Sequence, residues 1–243
     1  MEATELVPGV RYAVTDRHGG VSPAPYGRNL GGSTADDFQN VLQNRALTAR
    51  QLGLDPDRVV WMSQVHSASV TRVSAPFGAD RPRLDGVFTS EPGLPLASLA
   101  ADCAPVLLAD PIARLIGAAH SGRVGTLAGV VPNLVAAMAE AGAQPARMTA
   151  LVGPMACGRC YEVPEPMRAE ATAALPEAHS TTRRGTPALD LRAGITAQLT
   201  RAGVATVRQD ARCTIEDPDL FSHRREQRTG RFAAYLWLTE PAD

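Results

Sequence analysis

The residues best suited to chemistry lie in one stretch, residues 96–126, which reads LASLAADCAPVLLADPIARLIGAAHSGRVGT. Apolar runs flank the dipeptide Asp102–Cys103, and a third apolar run ends at His120, just before a glycine-containing turn. A side chain at the end of a buried strand is firmly mounted and still reachable from the following loop, so Cys103 and His120 are candidates for ligation or nucleophilic chemistry. The alternative is a small core cysteine and a hydrogen-bonded loop histidine.

Another histidine, His66, lies in the β-rich run VVWMSQVHSASVTRV over residues 59–73. The alternation of this run predicts that His66 sits on a strand, on the face it shares with Val70. A lone histidine on such a face is either a buried, hydrogen-bonded core residue or a ligand. The periodicity does not decide between the two.

Cys157 and Cys160 form a C-x-x-C pair, a spacing that occurs in redox and zinc sites. Neither a second C-x-x-C nor a nearby pair of histidines completes a structural zinc site in the sequence, so we do not expect this pair to be a functional unit. The chain has four cysteines, too few for a disulfide-stapled scaffold. We therefore expect reduced thiols.

Arginine supplies all 24 basic residues, since the chain contains no lysine. This excludes lysine Schiff-base chemistry and leaves arginine as the cationic side chain for phosphate or carboxylate. Arg45 lies on or near the apolar face of a predicted helix, and could cover the core edge or point at a ligand. A loop before the last strand carries four arginines and is either solvated or an anion clamp, namely Arg224, Arg225, Arg228 and Arg231.

The charge balance and the N-terminus bear on partners and location. With 24 basic and 25 acidic residues, the net charge of −1 gives no electrostatic reason to expect nucleic-acid or membrane binding. The start, MEATELVPGVRYAV, lacks the basic and apolar regions of a secretory leader, and no run of about 18 apolar residues occurs. We predict a cytoplasmic protein.

Hydrophobic periodicity predicts a single domain over residues 1–243, without linker or repeat, in which strands and helices alternate. The predicted strands are residues 10–17, 59–73, 85–90, 94–101, 148–153, 204–209 and 232–238. The predicted helices are residues 35–53, 126–142, 164–175 and 191–203. Pro132 should kink the second helix or delay its start, and Asp190 is a possible N-cap of the last.

Eight short motifs occur in one order over nearly the whole chain: QVHSASV, DGVF, ADCAPVLLAD, GAAHSG, GP…CYEV, LDL, CT and FSHRR…TGR. The N-terminal pieces RHGGVS, NLGG and NR extend the pattern. Together they resemble the YfiH-type family, which is named as multicopper polyphenol oxidase (laccase domain), as purine nucleoside phosphorylase and as peptidoglycan editing factor. The resemblance implies an α/β (α+β) fold with mixed β-sheets packed between helices, similar in core to CNF/YfiH-like cysteine hydrolases.

The resemblance also implies a zinc site made by His66, Cys103 and His120, with copper as the alternative metal. Two imidazoles and a thiolate leave a fourth tetrahedral position for water or substrate, the pattern of catalytic zinc. Without a metal, the same residues would make a thiolate beside imidazoles, a plausible nucleophile.

The implied activities are phosphorolysis of adenosine, inosine, guanosine and methylthioadenosine, and deamination of adenosine. Purine nucleosides and phosphate are thus the expected partners, with a monomer or weak homo-oligomer as the expected state. We predict that Cys103 and His120 are catalytic and that Asp102 or Glu162 transfers or orients a proton. The predicted substrate-lining residues are Asn29, Arg45, Arg123 and Arg224.

The chain departs from the family pattern in two places. The usual run HAGWRG is here HSGRVG, so Arg123 stands where tryptophan is usual and Val124 where arginine is usual. Arg159 replaces the first cysteine of CCYEV, and Cys157 stands where glycine is usual. The first change leaves open whether Arg123 replaces the displaced guanidinium.

Three other functions compete with the zinc enzyme. A Cys103–His120 amidohydrolase could act on peptidoglycan precursors, in keeping with the editing name. Copper-dependent phenol oxidation needs several copper centres with histidine ligands, for which five histidines are too few. A non-enzymatic binding role leaves a converging set of histidines and cysteine without a purpose.

Overall fold

Alternating apolar residues build two mixed sheets that pack face to face. The computed structural model describes residues 1–78 and 80–239, so residues 79 and 240–243 of the predicted domain lie outside the described residues. The strands, numbered in chain order, are β1 (Thr4–Val7), β2 (Val10–Val14), β3 (Val60–Trp61), β4 (Val70–Arg72), β5 (Gly86–Thr89), β6 (Leu96–Ala100), β7 (Ala104–Asp110), β8 (Leu115–Ser121), β9 (Thr149–Val152), β10 (His179–Thr181), β11 (Pro187–Leu189), β12 (Thr206–Gln209) and β13 (Phe232–Leu238).

The helices cover the outer faces of the sheets. They are α1 (Phe38–Gln51), α2 (Arg123–Ala128), α3 (Val130–Glu140), α4 (Glu165–Ala174), α5 (Leu191–Arg201) and α6 (His223–Glu226). Within the described ranges, no helix is long and apolar enough to cross a membrane.

Both sheets contain parallel and antiparallel pairs. One has the order β1-β2-β13-β6-β3, with only the β3–β6 pair parallel. The other has the order β12-β9-β7-β8-β5-β4, with its two outermost pairs parallel and the rest antiparallel. Strands β10 and β11 form a separate antiparallel ribbon. The predicted fold class is confirmed.

Period-two alternation assigns the faces of each strand. In β13, Leu236 and Leu238 join the core between the two sheets, whereas Tyr235 and Trp237 face the layer of α1. In β7, Leu107 belongs to the inter-sheet core, and its neighbours on either side face α3 and α5. The result is four layers, helix–sheet–sheet–helix. Strand β13 in one sheet and strand β7 in the other are each buried on both faces.

Three predicted elements differ from the structure. The predicted helix 126–142 is two helices, because Gly129 adopts φ 87° and interrupts the helix between α2 and α3. Pro132 falls in the first turn of α3, where its missing N–H costs no hydrogen bond. Helix α1 starts at Phe38 rather than 35, with Asp37 as N-cap accepting from the Gln39 amide.

The third difference is the predicted strand 59–73, which is wrong over its middle part. Only β3 and β4 are strands, and the residues between them form a loop. His66 therefore lies on that loop, with φ 63°, and not on a strand face shared with Val70. The cause lies 19 residues further along, at Asp85.

Candidate metal centre and cavity

The buried carboxylate of Asp85 shapes the loop that carries His66. It accepts hydrogen bonds from the backbone amides of Val65, His66 and Ser67, at 2.6–3.1 Å, and from the Ser67 hydroxyl at 2.8 Å. These amides are thereby unavailable to a β-ladder, which explains why the alternating run does not stay extended. Asp85 immediately precedes β5, so a rigid strand end fixes the loop.

Strand ends bring the other candidate residues to the same place. Cys103 immediately precedes β7, and His120 lies near the end of the adjacent strand β8, opposite Pro105. His120 is 4% exposed, Cys103 is half-buried and His66 is exposed. The Cys103 Sγ to His66 Nε2 distance is 3.7 Å, and the two imidazole rings stand edge to face with centroids 4.9 Å apart. The three residues singled out from the sequence therefore converge.

Asp85 also orients His120. Its Oδ1 lies 2.8 Å from His120 Nδ1, and its backbone carbonyl accepts the His120 amide at 2.8 Å. Burial raises the pKa of Asp85, but the hydrogen bonds from His120 and Ser67 lower it by more than burial raises it. The resulting pKa is about 2. A carboxylate on Nδ1 places the proton there and leaves Nε2 facing Cys103 and His66.

The Cys103 thiol is strongly acidified. Burial raises its pKa, but the charge of His120 and hydrogen bonds from His120 and His66 lower it more, to about 6. Burial in turn lowers the pKa of His120, while the Cys103 thiolate and Asp85 raise it to about 9. The pair thus favours a thiolate beside an imidazolium at neutral pH.

Gly122 allows the three side chains to approach one another. A Cβ atom at this position would lie 2.6 Å from Cys103 Sγ and 3.0 Å from His66 Cδ2. Its φ of −88° is open to other residues, so the requirement is for space and not for backbone freedom. Glycine in the HSGR turn is therefore part of the site.

The donor set fits a thiophilic divalent cation. The ligand atoms of His66, Cys103 and His120 all lie within 4.8 Å of one another, and tetrahedral zinc requires separations of about 3.3–3.8 Å. One thiolate and two imidazoles suit zinc or copper and do not suit magnesium or calcium. The Asp85–His120 hydrogen bond adds the carboxylate partner that metal-bound histidines usually have.

A cavity of about 530 Å³ opens beside these residues, within the range of about 300–1,000 Å³ usual for small-molecule sites. Its lining combines the three candidate ligands with three arginines, Arg45, Arg81 and Arg231. The ring of Phe38 and the Gly31–Gly32 backbone also border it. One cavity thus contains a candidate metal centre, several cations and an aromatic face.

Arg45 is held firmly at the cavity wall. It is 7% exposed, its Nε donates to the Leu30 carbonyl at 2.8 Å, and its guanidinium lies 4.0 Å from the centroid of the Trp61 ring. Burial and the neighbouring charge of Arg81 lower its pKa to about 10, so it stays protonated at neutral pH. An anion bound between the two guanidiniums would reduce their mutual repulsion.

Asn29 lies behind the wall and does not border the cavity. It is fully buried, its Oδ1 accepts from the amides of Gly31 and Arg231, and its Nδ2 donates to Thr34 and Asp36. The side chain thereby ties the glycine loop to the segment carrying Arg231. We interpret Asn29 as a positioning residue rather than a substrate contact.

Asp102 faces away from the candidate ligands. Its Oδ1 accepts from the hydroxyls of Thr214 and Ser222 at 2.7 Å each, and its Oδ2 accepts from the Arg224 amide at 2.7 Å. Its φ of 102° is rare for a residue other than glycine. This turn delivers Cys103 to the site, and the carboxylate fastens α6 to it.

Glu162, Arg123 and Arg224 lie around Tyr161, outside the cavity lining. Arg224 Nη1 donates to the Glu162 carbonyl at 2.9 Å, and its guanidinium lies 5.2 Å from the Tyr161 ring centroid. Burial and the Cys103 thiolate raise the pKa of Tyr161 by more than Arg123 and Arg224 lower it, so the net shift is upward. Arg224 and the exposed Glu162 border a separate cleft that also includes Cys160.

The arginine loop divides by role. Arg231 borders the cavity, whereas Arg225 donates to the carbonyls of Thr214, Asp217 and Leu220 and holds the loop together. Arg228 is exposed. An anion clamp would thus draw on one arginine of this loop together with Arg45 and Arg81.

Sequence reasoning missed four residues that the fold brings to the site: Asp85, Arg81, His223 and Tyr161. Asp85 stands in the DGVF motif and was visible only as the start of a strand. Arg81 lies on a loop and His223 begins the one-turn helix α6, and in neither place does hydrophobic periodicity indicate the direction of the side chain.

The sequence also failed to show a partner for the C-x-x-C pair. Cys213 and Glu216 lie against Cys157 and Cys160, with all four ligand atoms within 4.8 Å of one another. The sequence contains neither a second C-x-x-C nor a nearby histidine pair; the fold instead brings Cys213, more than fifty residues away along the chain, next to Cys157 and Cys160.

Comparison with known proteins agrees with the fold. A family model described as multi-copper polyphenol oxidoreductase laccase matches residues 11–239. A purine nucleoside phosphorylase of Streptomyces coelicolor is 56% identical over 237 residues, covering 96% of this chain and 98% of the relative. A purine nucleoside phosphorylase of Mycobacterium bovis is 47% identical over 230 residues, covering 94% and 92%.

Solved structures resemble the chain over nearly its whole length. A Neisseria meningitidis protein of the DUF152 family superposes with a TM-score of 0.88 at 32% identity, covering 98% of each chain. YlmD of Geobacillus stearothermophilus superposes with a TM-score of 0.88 at 31% identity, covering 96% of this chain and 93% of that one.

Proposed function

Because the chain belongs to the multi-copper polyphenol oxidoreductase laccase family, with relatives named purine nucleoside phosphorylase, we propose that it is a zinc-dependent purine nucleoside phosphorylase that also deaminates adenosine. The proposed substrates are adenosine, inosine, guanosine and methylthioadenosine, together with phosphate. The observation that carries the proposal is a single cavity lined both by His66, Cys103 and His120 and by three arginines.

Phosphorolysis needs a phosphate held next to the ribose. A phosphate oxygen bonds to C1′ of the ribose as the bond from C1′ to the purine nitrogen breaks, and the purine leaves with a proton. Arg45 and Arg81 supply positive charge for the phosphate, and Arg231 adds a third guanidinium. The Phe38 ring offers an apolar surface for the purine or the ribose.

Deamination replaces the 6-amino group of adenosine by oxygen from water and releases ammonia. His66, Cys103 and His120 would hold zinc, which supplies an acidified water and a Lewis acid when bound. Asp85 keeps the proton of His120 on Nδ1 and so keeps Nε2 aimed at the cavity. Burial lowers the pKa of Arg231 below its ordinary value, and the charge of the nearby Cys103 thiolate opposes this shift.

The displaced arginine of the HSGRVG run does not weaken the proposal. Arg123 lies beside Tyr161 and is absent from the cavity lining among the residues described. We therefore assign phosphate binding to Arg45, Arg81 and Arg231, which come from other segments, and not to Arg123.

The test is an assay of adenosine turnover read by chromatography, with and without phosphate, on protein whose metal content is known. Adenine that appears only with phosphate reports phosphorolysis, and inosine that appears without phosphate reports deamination. His66→Ala and Cys103→Ala should lose both products together with about one zinc per chain. Retention of turnover in both variants, or neither product from zinc-loaded wild-type protein, would refute the proposal. Elemental analysis also separates zinc from copper.

A second candidate function rests on the linear arrangement of Cys103, His120 and Asp85. An acidified thiol, a histidine and a carboxylate on the far side of its ring form the constellation of a cysteine hydrolase. Such an enzyme would cleave amide bonds in peptidoglycan precursors through an acyl intermediate on Cys103. Mass spectrometry of chelator-treated protein with a muropeptide substrate should then show an adduct on Cys103 that is lost in Cys103→Ala.

A further inference from the structure

Two tight turns of similar build face each other on one side of the candidate metal centre. In the first, Cys160 donates its amide to the Cys157 carbonyl at 2.9 Å. In the second, Glu216 donates its amide to the Cys213 carbonyl at 3.0 Å. Each turn therefore presents its first and fourth side chains on the same side, as ligand pairs with two intervening residues do in zinc sites.

Backbone contacts lock the two turns together. Met155 pairs with Cys213 in a parallel bridge, and the Thr214 amide donates to the Met155 carbonyl at 3.1 Å. The Cys157 amide donates to Cys213 Sγ at 3.3 Å. The sulfur of Cys213 is thus already placed as an acceptor, in the centre of a cluster that also contains the sulfurs of Cys157 and Cys160.

The cluster has a built-in counter-charge. Arg183 donates to Cys160 Sγ at 3.4 Å and forms an ion pair with the Glu216 carboxylate, with Nη2 to Oε2 at 3.2 Å. Three thiolates and a carboxylate exceed the charge of one divalent cation by two. A guanidinium on two of the four ligands offsets part of that excess and orients both side chains.

We propose that Cys157, Cys160, Cys213 and Glu216 form a second metal site, which binds zinc or a similarly thiophilic divalent cation. Three sulfurs select zinc over magnesium and calcium. Four protein ligands leave no position for substrate, so the site is structural and not catalytic. Cys213 is buried, Cys157 and Cys160 are half-buried and Glu216 is exposed, so the ion would be shielded on the side of Cys213 and closer to solvent on the side of Glu216.

The position of this second site indicates what a bound ion would stabilise. Tyr161 follows Cys160 directly and stands next to Cys103 and Arg123. Thr214 follows Cys213 directly and donates its hydroxyl to Asp102, the neighbour of Cys103. An ion between the turns would therefore fix two segments that border the catalytic thiol, although it lies outside the cavity.

The experiment is elemental analysis of protein expressed with added zinc and purified under reducing, oxygen-free conditions. Wild-type protein should carry one more zinc per chain than Cys160→Ala. Cys103→Ala, which disables only the first site, serves as the matched control and should retain the zinc that Cys160→Ala lacks. The double variant should carry none. Equal zinc in wild-type protein and Cys160→Ala would overturn the proposal.

Cobalt substitution identifies the ligands independently of activity. Co²⁺ bound by three thiolates gives strong near-ultraviolet charge-transfer absorption, so this absorption should fall by well over half in Cys160→Ala and persist for the most part in Cys103→Ala. Circular dichroism confirms that both variants are folded. A wild-type mass lower by two hydrogens, with no metal at the cluster, would mean that two of the cysteines form a disulfide and would contradict the proposal.

Discussion

The buried carboxylate of Asp85 lies 2.8 Å from Nδ1 of His120 and at the same time accepts the amide of His66 at 3.0 Å. One side chain therefore positions two of the three candidate ligands. The third, Cys103, is delivered by the neighbouring strand end. The geometry of the site thus depends on a residue that does not itself face the cavity.

Asp85→Asn should weaken zinc binding by about 10–100-fold, the usual effect of removing the carboxylate partner of a metal-bound histidine. The measurement is a competition titration against a chromophoric chelator. Asp110→Asn is the matched control, because Asp110 is equally buried and hydrogen-bonded but lies at the far end of β7. Unchanged zinc affinity in Asp85→Asn would show that the carboxylate does not support the ligands.

Gly122→Ala should lower zinc occupancy and turnover, because its Cβ would lie 2.6 Å from Cys103 Sγ. The thiol or the His66 loop must then shift. Gly78→Ala is the control, since a Cβ at Gly78 meets nothing within 4 Å. Metal content and kcat/KM should both fall for Gly122→Ala and remain at wild-type values for Gly78→Ala; equal values for the two variants would contradict the geometry.

Arg81→Gln should raise the KM for phosphate by about tenfold, the lower end expected for loss of a charge-assisted hydrogen bond. The zinc content and the KM for the nucleoside should change little, because Arg81 contacts neither metal ligand nor apolar wall in this assignment. Arg83→Gln is the control, since Arg83 is equally exposed but does not line the cavity. The same KM in both variants would remove Arg81 from the phosphate site.

The reactivity of Cys103 should follow its lowered pKa of about 6. In metal-free protein, alkylation of Cys103 by iodoacetamide should rise with pH through a midpoint near 6 and level off about one pH unit higher, because the thiolate is the reactive form. An ordinary thiol would continue to gain reactivity up to pH 9. Peptide mapping identifies the alkylated residue, and added zinc should block it. A midpoint near 9 would contradict the thiolate–imidazolium pair.

Asp110 should contribute stability above pH 4 that disappears in acid. Burial raises its pKa, but the amides of Gln144, Ala113 and Ile112 and the guanidinium of Arg147 lower it below its unfolded value. A lowered pKa means that the stabilisation is present above the unfolded pKa of about 3.9 and is lost as the pH falls through the folded pKa.

Asp110→Asn should accordingly destabilise the fold by about 1–3 kcal/mol at pH 7, and the difference from wild type should shrink below pH 4. Urea unfolding at several pH values measures it. A constant difference from pH 7 to pH 2.5 would mean that the charge of Asp110 is not what stabilises this strand end.

The fold was largely predictable because it depends on local patterns. Strand β13 alternates over its full length, and α5 begins after Asp190, whose carboxylate accepts the Ala193 amide at 3.0 Å. Such signals need only neighbouring residues. The predicted strand 59–73 failed because Asp85, far along the chain, takes the amides that the strand would have used.

The same distinction applies to the site. The residue types of Cys103 and His120 at strand ends pointed to chemistry, and the family pattern added His66. The cluster of Cys157, Cys160, Cys213 and Glu216 could not be predicted from the sequence, because Cys213 lies next to the C-x-x-C pair only through its β-bridge with Met155. The direction of a side chain also cannot be derived from spacing. Asp102 and Glu162 were plausible carboxylates, but Asp102 accepts hydrogen bonds from Thr214 and Ser222, and Glu162 borders a separate cleft.

The amide cradle of Asp85 has a consequence for how the proposed site would take up a metal ion. Because hydrogen bonds within the chain already set the His66 loop and the His120 ring, the apoprotein is a preformed receptacle, unlike a zinc finger that folds around its metal. Metal binding would then be a simple equilibrium with the free metal ions around the protein. Competing metals would be ranked by their free concentrations and by their affinities for two imidazoles and a thiolate. The cell's metal supply, rather than the folding of the chain, would then decide which ion the proposed site holds.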